Sequence, residues 1–111
     1  MGQYYKVYNL DRKEFIHPHR INCGLKLVEQ MGFSGSTADA LFLLLANSNG
    51  RGGGDVNDHP MIGRWAGDRI VVQGDYSEVN DKAHISDDEL GDYLEIGSSV
   101  MEMLKITGRK V

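Results

Sequence analysis

Hydrophobic positions along this chain fall in short runs whose spacing changes several times from one end to the other. In residues 3–9, Tyr4, Tyr5, Val7 and Tyr8 place aromatic or β-branched bulk on both faces of an extended segment, which predicts a strand. The tetrad Leu10-Asp11-Arg12-Lys13 then reads as a tight turn, and residues 14–17 return as a second strand, giving an N-terminal β-hairpin. Pro18 has no backbone donor and holds His17 extended, so the sequence His-Pro-His ends that strand.

Helical spacing follows. Leu25, Leu27, Val28 and Met31 give residues 23–31 a broad apolar side, with Asn22 as cap and Gly32 as stop. Ser36-Thr37-Ala38-Asp39 has the form of a capping box with Asp in place of Glu or Gln, and the run ALFLLLA behind it predicts a helix over about 37–47. Because that helix is apolar almost all round, burial against a sheet is expected. Residues 69–73, RIVVQ, form the clearest strand, and their apolar middle predicts an interior place in the sheet. From 77 to 92 the chain turns polar and acidic, an irregular connection in which Ser86-Asp87-Asp88-Glu89 opens a short helix. Residues 93–96 predict one more strand, and Ser98 or Ser99 caps a last helix carrying Val100, Met101, Met103 and Leu104. The sum is one α+β domain over residues 1–111: an N-terminal β-hairpin and a small mixed or antiparallel sheet packed on the 37–47 helix, with flanking helices.

Composition narrows the setting. A chain of 111 residues can bury one core without staples. The lone Cys23 excludes an intramolecular disulfide or a multi-thiolate zinc site and suits a reducing compartment. No apolar run approaches the ~18–20 residues that cross a bilayer, and MGQYYKVYNL lacks the plan of a secretory signal, so a cytoplasmic protein without membrane contact is expected. The net charge of -4 argues against general nucleic-acid binding. Cations are concentrated early, in Arg12, Lys13, His17, His19, Arg20 and Lys26, whereas Asp and Glu dominate after Asp75.

Chemistry-bearing residues gather between Gly50 and Tyr76. Arg51-Gly52-Gly53-Gly54-Asp55 could form a nest of backbone N–H groups around an anion, with Arg51 adding a forked donor and Gly53 permissive backbone; a flexible turn is the competing reading. It matches neither a Walker loop nor a dinucleotide-binding turn. Further on, Trp65 could offer its ring for stacking while Arg64, Asp68 and Arg69 supply charge-assisted hydrogen bonds to a polar ligand; the alternative is a core tryptophan with ion pairs around it. Asp55, His59, His17 and His19 are secondary candidates. His17 and His19 flank a proline and cannot make the i, i+4 pair of a helical zinc site, so no metal, cofactor or catalytic residue is assigned.

The whole chain resembles a group of small bacterial and phage proteins, through MGQYYKVYNLDRKEF, HPH, GLKLVEQ, GRGGGD, IGRWAGDRIVVQGDY and LEIGSSVMEML. The resemblance implies a common small fold and a phage or mobile-element setting, in which accessory proteins include modulators of host defence. It carries no reaction, cofactor or catalytic residue. The leading expectation is a binding module for a small anionic, nucleotide-like ligand or a host protein, built on Arg51, Gly53, Arg64, Trp65, Asp68 and Arg69. Two alternatives stand beside it. One is an enzyme acting on nucleotides with Asp55, His59 or Asp68 as acid or base, and the other is an inhibitor whose acidic stretch from Glu78 to Glu95 fills a basic groove. A homo-oligomer with a shared site is open to each.

Overall fold

A computed structural model of the chain describes residues 3–47 and 59–106. The N-terminal hairpin forms as its sequence predicts, with β1 at Tyr5–Asn9 and β2 at Glu14–Ile16 paired antiparallel so that Val7 faces Ile16 and Tyr8 faces Phe15. Asn9 shapes the turn: its side-chain oxygen accepts the N–H groups of Asp11 at 2.9 Å and Arg12 at 2.8 Å, an Asx-type turn. Lys13 closes the turn in the left-handed region at φ 57.

β3, at Ile70–Gly74, pairs antiparallel with the other side of β1, and β4, at Leu94–Glu95, runs parallel to β2. The sheet is mixed, in the order β3-β1-β2-β4. This places β3 at an edge, not in the interior that its apolar middle suggested. Strand alternation divides its two valines between the faces, and Val72 stays 44% exposed.

Each face of the sheet has its own apolar cluster. On one face Val7 and Ile16 meet Ala40 and Leu44 of α1 (Thr37–Leu44), Trp65, and Val100, Met103 and Leu104 of α3 (Gly97–Ile106). On the other, Tyr8, Phe15 and Val71 are covered by Ile85, Leu90 and Tyr93, which belong to the connection that carries the short α2 (Asp87–Leu90). The Tyr8 ring lies between Phe15, stacked at 5.5 Å, and the edge of Tyr93 at 5.6 Å. The irregular character of the 77–92 segment and the helix start at Ser86 both match expectation, with the Ser86 and Glu89 side chains completing a reciprocal capping box.

Two helical expectations are corrected. Residues 23–31 hold no α-helix; a 3₁₀ turn runs over Val28–Gln30, and Asn22, at φ 64, ends an earlier 3₁₀ turn over Pro18–Ile21. The reason lies across the chain from this segment: the Leu25 carbonyl accepts the Tyr5 N–H at 2.8 Å, and the Gln30 amide donates to both Tyr5 and Leu25 carbonyls. Tied to the strand end in this way, the segment leaves Leu27, Val28 and Met31 exposed. α1, for its part, is shorter than 37–47 and one-sided, with Thr37, Ala40 and Leu44 buried and Phe42 84% exposed.

What stops α1 also builds the next segment. The Leu43 carbonyl, which also takes the Ala46 N–H at 3.2 Å, accepts the Gly63 N–H at 2.9 Å, and the Leu44 carbonyl accepts the Trp65 N–H at 2.9 Å. Gly63 adopts φ +81 and passes so close to the chain just past α1 that a Cβ would lie 2.7 Å from the Ala46 carbonyl oxygen. Gly63→Ala is therefore expected to lower stability by about 1–3 kcal/mol, read as a drop in urea midpoint at unchanged slope.

Candidate functional site

Four of the expected ligand residues turn inward onto the hairpin. Trp65 is fully buried, and its indole N–H donates to Glu14 Oε1 at 2.8 Å. Arg64 grips the same carboxylate, with Nε 3.1 Å from Oε1 and 3.2 Å from Oε2 and Nη2 also bound to Oε2. Asp68 accepts from Asn9 Nδ2 at 3.0 Å and from Arg12 Nε at 3.1 Å. Arg69 closes the series on Asp11, through Nε at 3.0 Å and Nη2 at 2.8 Å. Burial by itself raises the Glu14 carboxyl, but the hydrogen bonds from Arg64 and Trp65 and the guanidinium charges of Arg64 and Arg12 prevail and hold it below the usual carboxylate range.

This set of contacts corrects the stacking role given to Trp65, since a ring with no exposed surface has no face to present. Glu14, Asn9, Asp11 and Arg12 are the partners of the four residues, so the cluster's present function is to lock the 59–69 turns onto the hairpin. His59 is likewise engaged, buried at 8% exposure with Nδ1 accepting the Met61 N–H and Nε2 3.1 Å from Glu102. Arg51, Gly53 and Asp55 lie outside the described residues.

A different group of side chains surrounds open space. Between the sheet and the connection after β3 lies a cleft of about 260 Å³, lined on β1 by Tyr4, Lys6 and Tyr8 and on β3 by Gln73, Gly74 and Asp75. Its origin is strand alternation: Tyr4, Lys6 and Tyr8 share one face, and the connection covers that face only at the Tyr8 end. His17, one position past the Val7–Ile16 pair, flanks Lys6 on one side, and Gln73, its registered partner, flanks it on the other. His84, Asp87 and Ser77 face them from the connection. Gln73 fixes that wall, donating through Nε2 to the Ile85 carbonyl at 3.1 Å and accepting the Ile85 N–H at 2.8 Å.

The charges in the cleft are opposed. Lys6 is half-buried and makes no ion pair among the described residues. Asp75 and Asp87 are the carboxylates, and Asp75 Oδ1 already accepts the Tyr4 N–H at 3.0 Å. His17 is held below the ordinary histidine range, first by burial and then by the positive charges of Lys6, His19 and Arg20, against the opposing pull of Glu95. It is neutral near pH 7, and because Nδ1 accepts the His19 N–H at 3.3 Å, the ring carries its proton on Nε2 as a donor.

Of the sequence candidates among the described residues only His17 lines this cleft; His19 packs beside it, at 5.4 Å between ring centroids, on the exposed side. For Lys6 the available signal was its period-2 placement between Tyr4 and Tyr8, a cation on a face otherwise aromatic. Among the described residues no group of three or more His, Cys, Asp or Glu is placed to hold a metal ion, and no helix is long and apolar enough to cross a membrane. No protein-family model, curated protein or solved structure matches the chain.

Proposed function

We propose that this protein is a small binding module whose cleft takes an anionic, nucleotide-like molecule, with the phosphate toward Lys6 and His17 and the base toward Tyr4. The observation that carries this reading is the half-buried ammonium of Lys6, without an ion pair among the described residues, set beside an imidazole N–H donor in a cleft. Such an ammonium lacks full hydration and has no counter-ion among the described residues, and a phosphate supplies both charge and acceptors.

The remaining lining supports the same class of ligand. Tyr4 is 47% exposed and offers a ring face for a base. Asp87, on the same lining, is an acceptor for the amino group of a base. The volume lies just under the ~300–1,000 Å³ of pockets that take drug-sized ligands, which favours a mononucleotide over a dinucleotide. In the phage or mobile-element setting, sequestering a nucleotide signal is how such a module would modulate a host.

Thermal-shift measurement against mononucleotides and 3′,5′-cyclic nucleotides tests this directly. Stabilisation at millimolar ligand is expected, and no shift with any nucleotide at that concentration overturns the reading. A pH series gives a sharper outcome. An anion beside His17 favours the imidazolium, so the complex binds more protons than the free protein and affinity rises as pH falls from 7.5 to 5.5. The rise has a ceiling of about tenfold per pH unit for one proton. A cyclic nucleotide keeps its phosphodiester charge across that range, and His17→Gln is expected to flatten the slope.

A further inference from the structure

Within the same cleft, Ser77 Oγ lies 2.9 Å from His84 Nδ1. Both ends of this contact are anchored to β3: the Ser77 N–H donates to the Gly74 carbonyl at 3.1 Å, and Ile85, next to His84, is held by the Gln73 amide. A hydroxyl in hydrogen-bond reach of an imidazole nitrogen, in a space that also holds the Lys6 ammonium, has the parts of an activated nucleophile. No such pair could be read from the sequence, where no nucleophile elbow surrounds any serine.

We infer that Ser77 is a nucleophile with His84 as its base, and that the cleft cleaves acyl-nucleotides, the mixed anhydrides of a carboxylic acid and a nucleotide phosphate. The substrate class rests on the reading of the cleft as a nucleotide site. Ser77 Oγ attacks the acyl carbon and forms the new C–O bond while His84 Nδ1 takes the hydroxyl proton. The bond from the acyl carbon to the phosphate oxygen breaks, and the nucleotide leaves with that electron pair as a phosphate anion toward Lys6. His84 releases its proton to solvent. Water then attacks the acyl-Ser77 ester, His84 takes the proton from water and returns it to Ser77 Oγ, and the free acid departs. Lys6 offsets the charge that develops on the departing phosphate oxygen.

An alkyl fluorophosphonate, which phosphonylates activated serines, tests the nucleophile on the full chain by intact mass and peptide mapping. One adduct on Ser77 is expected, absent from Ser77→Ala, slowed by about 100-fold or more in a folded His84→Gln protein, and slowed by added 3′,5′-cyclic AMP. No adduct on the wild-type chain, an adduct retained by Ser77→Ala, or an unchanged labelling rate in His84→Gln overturns the inference. Thermal shift of Ser77→Ala with cyclic AMP separates the two readings. Binding without labelling removes the nucleophile alone, and Ser77 labelling without nucleotide binding leaves the nucleophile and removes both the acyl-nucleotide substrate and the nucleotide-binding reading.

Discussion

Glu14→Ala is expected to lower the stability of the fold by about 1.5–4 kcal/mol. The largest part comes from Trp65, whose buried indole N–H loses its acceptor at a cost of about 1–3 kcal/mol. Arg64 contributes less, because its side chain is 39% exposed and can turn to water once the carboxylate is gone, so about 0.5–1 kcal/mol is allotted to that pair. In a domain of this size, with roughly 5–15 kcal/mol in total, such a loss is visible as a large fall in urea midpoint. Glu14→Gln keeps an acceptor for the indole and is expected to cost less than Glu14→Ala.

The same residue predicts how stability responds to acid. The Glu14 carboxyl is held below its ordinary range in the folded protein, so the unfolded chain binds the proton more readily. Its contribution is complete above the unfolded value of about 4.3 and is lost as pH falls through the lower folded value. The gap in stability between wild type and Glu14→Gln is therefore expected to narrow below about pH 4.3, measured by urea unfolding at each pH. A gap that stays constant down to pH 2 would place the Glu14 interaction elsewhere.

Lys6→Glu carries the largest expected effect on binding. Reversal removes the cation assigned to the ligand phosphate and adds a third carboxylate beside Asp75 and Asp87. A hydrogen bond to a charged group is worth about 1.5–3 kcal/mol, so loss of the contact and the new repulsion together weaken nucleotide binding by about 100-fold or more. Lys6 faces the cleft and not the Val7 cluster, so the unfolding midpoint without ligand is expected to stay close to wild type. Calorimetric titration of both proteins with one mononucleotide reads the difference.

The parts of this fold that were legible in the sequence are those decided within a few residues. The turn over residues 10–13, the helix start at Ser86 and the apolar stripe of the last helix each carry their cause beside them. The parts that were not legible depend on distant partners. Trp65 and its arginine read as a ligand-binding set because Glu14, which consumes both, lies 51 residues from the tryptophan. Leu27, Val28 and Met31 had helical spacing, yet the backbone of β1 had already claimed the Leu25 carbonyl. The cleft was hidden for the same reason. Lys6, His17, Gln73 and His84 share no sequence pattern, and only the register of three strands and the path of the connection bring them together.

The ligand is thus assigned to the cleft around Lys6 and not to the network around Trp65 that the sequence suggested. Titration of ¹⁵N-labelled protein with 3′,5′-cyclic AMP, followed by amide chemical shifts, separates them in one measurement. The cleft predicts progressive shifts at Tyr4, Lys6, His17, Gln73, Ser77 and His84, with the amides of Arg64, Trp65 and Asp68 unmoved. Shifts confined to residues 61–69, or none at all at millimolar nucleotide, would contradict the assignment of the cleft as the binding site.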